Sequence, residues 1–453
     1  MHRPLRLVAL AALAVTSSGC WLSYGGNLAN ERAQTSETRI SPATVGDLEE
    51  RWRIAGVDGS TSTPAVYSNV VYFGAWDGTL RAVQAATGAV VWTTQLTSSV
   101  IDDSPVIYGD TVYIGDGTGN LHAVDRHTGA VRWTRDLDPH ANTRIFSSPV
   151  VVDSRVIVGV ASTELSLIKP NYTFRGSVVS LDATTGAVQW RVYTTADDAT
   201  AGAGVSVWSS AAIDTERHLA YIGTGQSYEA PAGPLSDALL AIDYRTGTIE
   251  WVRQFTPGDV YTIFQPAPQG PDADIGAAPN LFTIGDRDVV GVGDKAGVYA
   301  ALDRDTGDTV WATELPTGSH LGGIMTTAAY HDGALFLSSN QWANLIDFHA
   351  PGNASTTFAL DATTGDVLWE RDLPSSVFGA MTYANGVVFQ PTIDGLVYAF
   401  DASDGSILWS ATPGADLGSG VTVNNGMVFV PYGFWFFASP ANPQGGLVAY
   451  ALP

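Results

Sequence analysis

The chain has 453 residues, with 45 Asp and Glu against 22 Lys and Arg, and a formal net charge of −23. So acidic a surface repels phosphate backbones and argues against nucleic acid as a partner. A single cysteine, Cys20, excludes an intramolecular disulfide, a cysteine-based zinc site and a CxxCH haem attachment.

The N-terminal "MHRPLRLVALAALAVTSSGC" sets Arg3 and Arg6 before an apolar run from Leu7 to Val15. That run is too short to span a bilayer as a stable helix and reads as an export signal over residues 1–19. Cys20 follows Ser18 and Gly19, small residues of the kind that precede a lipid-modified cysteine, although Ser17 departs from the usual leucine. The expected product is exported and lipid-anchored at the cell envelope through Cys20, with residues 20–47 as tether; plain secretion is the alternative.

From residue 48 to 453 one pattern recurs: a strand, then "x-A-x-D-x-x-T-G-x-x-x-W". Its copies end at Trp92, Trp133, Trp190, Trp251, Trp311, Trp369 and Trp409. Each copy is a small sheet with an apolar face it cannot bury alone; radial packing buries every face. An eighth unit lacks its closing strand at the C-terminus, and "LEERWRIAG" with Trp52 can supply it. The predicted fold is all-β, an eight-bladed propeller closed by its N- and C-terminal strands. Successive tryptophans lie 41, 57, 61, 60, 58 and 40 residues apart, so the middle blades carry the insertions, where functional loops are expected.

The repeat, with the phrases "FRGSVVSLDATTG", "VSVWSSAAID", "YIGTGQSY", "GPDADIGAAPNLF" and "GDKAGVYAALDRDTG", resembles the propeller of the quinoprotein dehydrogenases, which use pyrroloquinoline quinone (PQQ). The branch it most resembles is that of the polyvinyl-alcohol dehydrogenases. The resemblance implies a dehydrogenase of a small or polymeric alcohol, a secondary alcohol among them, with PQQ and Ca²⁺, passing electrons to a separate acceptor. It implies Trp208 as the platform beneath the quinone and Lys295 as a cation at the quinone oxygens. Asp272 is the implied base, with Asp274 second choice. The implied metal ligands are Glu164, Gln226 and Asp272. Arg144, with Ser147 and Ser148, is a further candidate contact to a PQQ carboxylate. The residues are chemically suited to these roles: a flat ring favours an aromatic wall, and a hard cation favours oxygen donors.

Read without the resemblance, each residue has a plainer use: Trp208 in a core, Glu164 as an exposed loop carboxylate, Asp272 and Asp274 as an Asx-turn pair, Lys295 on the surface. Lys295 and Lys169 are the only lysines in the chain, and Lys295 stands between glycines. Three features depart from the family pattern. The adjacent cysteines expected before "TFRG" are absent. Asp102 and Asp103 stand where an arginine is usual, which lays negative charge near a tricarboxylate. Gln226 replaces the usual asparagine. The rival reading is therefore a non-catalytic propeller lipoprotein that acts as a binding or assembly scaffold. No GxSxG elbow occurs, and His122 and His127 read as hairpin-surface residues.

Overall fold

A computed structural model of the chain describes residues 19–196, 202–264, 269–316, 322–341, 349–434 and 444–453. Among these residues eight antiparallel sheets of four strands form an eight-bladed propeller, one of them carrying a short fifth strand, Thr143–Arg144. Blades 1 to 7 each take four consecutive strands, from Ala65–Tyr67 in blade 1 to Ile407–Ala411 in blade 7. Blade 8 combines Thr422–Asn424, Met427–Tyr432 and Gly445–Ala451 with the N-terminal strand Glu49–Val57, which closes the ring as expected.

The repeat explains how blades hold each other. Each motif tryptophan donates its indole N–H to a carbonyl of the next blade. The bonds run Trp52 to Ala85 (2.8 Å), Trp92 to Arg126 (3.0 Å), Trp133 to Ala183 (3.1 Å), Trp190 to Tyr244 (3.0 Å) and so on to Trp409, which reaches Leu48 (3.2 Å) and completes the circle. From Trp52 to Trp311 the same ring lies on the Thr-Gly turn of that next blade, and Trp369 lies on the Asp-Gly turn at Gly405. At Gly129, for example, φ is +74° and a Cβ would fall 2.8 Å from the Trp92 ring. The turn therefore demands glycine twice over, for its backbone and for the stacked indole.

A second circle lies near the channel axis. Thr63 N–H donates to Ser104 Oγ (3.0 Å), Ser104 N–H to Ser148 Oγ (3.0 Å), Ser148 N–H to Ser210 Oγ (2.8 Å), and Ala278 N–H to Thr327 Oγ1 (3.0 Å). Beneath it the N-terminal segment crosses from blade to blade. Its backbone bonds Val66, Ile107, Ile213, Leu281, Tyr330 and Tyr383, all on innermost strands. Arg32 is fully buried in this segment and donates to Met381 O (2.5 Å), Thr382 Oγ1 (2.9 Å) and Tyr24 O. The segment thus floors the channel, with Tyr24 facing the cavity above it.

Candidate active site

The channel above that floor holds a cavity of about 350 Å³. Gln226 and Lys295 sit on loops between the second and third strands of blades 4 and 5; Trp208 and Asp272 precede the first strands of the same blades. Both kinds of connection open on one face of a propeller, and all four residues line the cavity together with Asp274 and Ser148. Insertions in the long blades therefore converge on the channel mouth.

Lys295 is 6% exposed, and its ammonium lies 2.6 Å from Asp272 Oδ2 and 3.5 Å from Asp274 Oδ2. Burial opposes that charge, but the two carboxylates outweigh it and hold the lysine pKa above its ordinary value. Backbone bonds fix the arrangement: Lys295 N–H donates to Asp274 O (3.1 Å), and Gln226 N–H to Asp274 Oδ1 (2.7 Å). Asp259 accepts Ala273 N–H (2.8 Å) and so braces the aspartate loop from behind.

Asp272 takes a left-handed φ of +59° and keeps Oδ1 without a partner. Burial pushes its carboxyl up, Lys295 offsets part of this, and the Asp274 charge adds to it. Two further buried carboxyls stand behind it. Asp237, 0% exposed, has neither oxygen partnered, and Asp259 leaves Oδ1 unpartnered. Burial and then the Asp274 charge push Asp237 up to about 10. Acids crowded about one ammonium in so dry a place resist full ionisation, and Asp237, pushed up so far, carries a proton at neutral pH.

Trp208 forms a flat wall, seated across Gly276. A Cβ at that glycine would fall 1.6 Å from the indole, so only glycine permits this ring position. Ser104, Ser148 and Ser210 also line the cavity. Each hydroxyl accepts a backbone N–H in the inner circle, which leaves its own O–H to donate elsewhere.

Several expectations change. Glu164 does not line the cavity. It is fully buried, and its carboxylate is taken by the Lys169 ammonium and the amides of Thr173 (3.1 Å) and Phe174 (2.9 Å). Buried acceptors collect donors wherever the chain offers them, and here the loop supplies three. Lys169 is therefore a loop clamp. Arg144 does not line the cavity either; its guanidinium pairs with Asp102 (2.5 Å) and covers the Phe146 ring at 5.0 Å. That pairing cancels the Asp102 charge. Asp103 is buried and accepts Gly115 N–H (2.7 Å), the place held by Ser62 and Ser147 in neighbouring blades. Burial pushes the Asp103 carboxyl well up and so disfavours its charge, which with the Asp102–Arg144 pair weakens the expected negative patch. His122 is buried with Nε2 on Asp116 (2.9 Å); only His127 sits on the surface as expected. Cys20 is half-buried, and residues 1–18 of the expected export signal lie outside the described residues.

The metal ligands are only partly assembled. Asp272 with its unpartnered Oδ1, and Gln226, bring oxygen donors to one wall. The Gln226 amide lies between Tyr261 O and the Asp274 carboxylate; turned so that its nitrogen meets Asp274 Oδ2 (3.1 Å), it points its oxygen away from that carboxylate. Among the described residues no three His, Cys, Asp or Glu side chains are gathered to hold a metal.

Comparison with known proteins follows this geometry. A family model described as outer membrane protein assembly factor BamB matches residues 43–170 and 294–433. A second, the β-propeller domain of glucose/ethanol/alcohol dehydrogenases, matches 136–319. The chain is 28% identical over 419 residues to a polyvinylalcohol dehydrogenase of Pseudomonas sp, covering 83% of this chain and 64% of the relative. It is 34% identical over 246 residues to the polyvinylalcohol dehydrogenase of Sphingopyxis sp. (strain 113P3), covering 48% and 37%. The chain thus spans less than two thirds of the length of these relatives. In structure it is similar to quinohemoprotein alcohol dehydrogenase ADHIIG from Pseudomonas putida HK5, with a TM-score of 0.80 at 20% identity over 96% of this chain and 80% of that one.

Proposed function

Because the chain belongs to the PQQ-repeat propeller family of the quinoprotein dehydrogenases, we propose that it oxidises an alcohol with PQQ held in the channel cavity and hands the electrons to a separate acceptor. One observation carries the reading: the Lys295 ammonium, buried between Asp272 and Asp274, lies in the same cavity as the Trp208 wall. Charged clusters of this kind, open to a cavity, concentrate at reactive sites.

The residues fit the cofactor. Trp208 offers a flat face to a planar ring, the serine hydroxyls offer donors to carboxylates, and Lys295 offers a cation. When bound, PQQ supplies an o-quinone that accepts two electrons from the alcohol. Asp272, facing the cavity, takes the hydroxyl proton of the substrate. Lys295 stabilises negative charge developing on an adjacent oxygen, and its hold on Asp274 keeps the ammonium in place. Of the expected calcium ligands, Asp272 and Gln226 would hold the ion; Glu164 stays with Lys169. Export and lipidation at Cys20 complete the proposal, supported by the basic and apolar N-terminal pattern.

The test is reconstitution. Purified protein mixed with PQQ and Ca²⁺ is expected to show saturable binding by cofactor absorbance and alcohol-dependent dye reduction. Absence of saturable binding refutes the proposal.

A further inference from the structure

The channel is short of positive charge. Among the described residues its lining carries the cation Lys295 against three aspartates, Asp102, Asp272 and Asp274. Lys295 is shared between Asp272 and Asp274, and the Arg144 guanidinium is spent on Asp102. A further cation stands beneath the floor. Arg32 is 0% exposed, and it donates through Nε, Nη1 and Nη2 to Met381 O, Tyr24 O and Thr382 Oγ1, all neutral acceptors. Arg81, Arg217 and Arg304 each pair with an aspartate, whereas among the described residues no carboxylate pairs with Arg32. Burial lowers its pKa to about 10, so it stays charged at neutral pH.

The Arg32 guanidinium carbon lies 4.9 Å from the centre of the Tyr24 ring, and Tyr24 lines the cavity. The Tyr24 hydroxyl is held in turn, 3.0 Å from Thr327 Oγ1 in the inner circle. One aromatic ring therefore separates a buried cation from the cavity. A buried charge without a counter-ion is costly to keep, and an apolar side chain of similar size would fill the same space at less cost. With little solvent between them to screen it, the charge reaches across the floor.

We propose that Arg32 acts through the Tyr24 floor as the counter-charge for an anionic ligand in the channel, so that the cavity favours a planar polycarboxylate over its neutral analogue. The proposal rests on the dehydrogenase reading, in which PQQ is that ligand, and deepens it. Positive charge missing from the wall where Asp102 stands is supplied from below. Arg32 touches no ligand; it sets the field that the ligand enters.

The test sets ligand charge against residue charge. PQQ and its trimethyl ester are titrated by absorbance into wild type, Arg32→Met, Arg32→Gln and Arg32→Lys in one Ca²⁺-containing buffer, with circular dichroism to establish folding. Benzene-1,3,5-tricarboxylate and its neutral triamide are titrated alongside by calorimetry. Wild type is expected to favour each acid over its neutral analogue by about tenfold or more. The two neutral variants are expected to lose roughly tenfold in acid affinity, with analogue affinity little changed. Arg32→Lys is expected to keep most of the preference despite a lower melting temperature, because it keeps the charge and loses the planar fork. Acid and analogue weakened in equal proportion would make Arg32 a structural staple and overturn the proposal. No preference by wild type for either acid overturns it too. So does failure of both neutral variants to fold, or a folded Arg32→Lys that loses the preference as fully as Arg32→Met. If wild type binds no PQQ yet favours the benzene tricarboxylate with the same dependence on Arg32, the dehydrogenase reading fails and the counter-charge stands.

Discussion

The two lysines make a natural experiment within one chain. Each ammonium rests on a buried carboxylate in a long blade: Lys295 on Asp272, Lys169 on Glu164. What differs is where the pair faces. Lys295 is buried and opens on the channel cavity, and its partner keeps an unpartnered oxygen. Lys169 stays partly exposed, and its partner is saturated by Thr173 and Phe174 amides. A saturated carboxylate holds a loop; an unsaturated one in a cavity is available to a ligand. The same residue pair therefore serves structure in one place and chemistry in the other.

The largest effect that can break this contrast is on turnover. Asp272→Asn is expected to keep PQQ binding and lose turnover by roughly 10²–10⁴-fold. Because the native carboxyl is pushed up, the base ionises only as pH rises past its shifted value, so wild-type kcat/KM should climb toward alkaline pH. A residual activity in Asp272→Asn with the same rising limb would assign the base elsewhere.

Next in size, Gly276→Ala drives a Cβ into the Trp208 ring and is expected to weaken PQQ binding by about tenfold or more, with a stability loss of about 1–3 kcal/mol. Tryptophan fluorescence quenching by PQQ reads the first and thermal melting the second. Unaltered quenching would remove Trp208 from the site.

A smaller effect sharpens the role of the protonated Asp237 carboxyl. Asp237 is raised, so its contribution to stability is full below the ordinary carboxylate value and is lost as pH rises toward about 10. Asp237→Asn cannot ionise and tolerates the left-handed backbone at this position, φ +50°. The variant should be more stable than wild type at pH 8, on the order of 1–3 kcal/mol, with the gain shrinking toward pH 4. A pH-independent loss of stability would show a different role.

The scaffold was legible because its rule is local and repeated. A tryptophan at fixed spacing from Thr-Gly announces both the indole donor and the turn that receives it; Trp52 in "EERWRIAG" lacks the Thr-Gly but supplies the missing eighth tryptophan at the closing seam. Trp208 and Lys295 stood out because each broke the repeat, one outside its docking slot and one between glycines. Glu164 and Arg144 misled because their partners, Lys169 and Asp102, are set by how loops fold and not by any motif. The Ser104, Ser148 and Ser210 circle was written in the repeated starts "DDSPV", "FSSPV" and "WSSAA", and aligning those starts would have found it. The aromatic contacts among Trp76, Phe378 and Phe434 join blades far apart in sequence, and only closure of the ring brings them together.

The most direct test compares PQQ affinity in wild type, Lys295→Ala and Lys169→Ala by absorbance titration of the purified apoprotein. The account predicts saturable binding by wild type. It predicts a loss of roughly 10²-fold or more for Lys295→Ala, which strips the cation from two buried carboxylates, and little change for Lys169→Ala. Equal effects in the two variants, or a greater loss in Lys169→Ala, would contradict it.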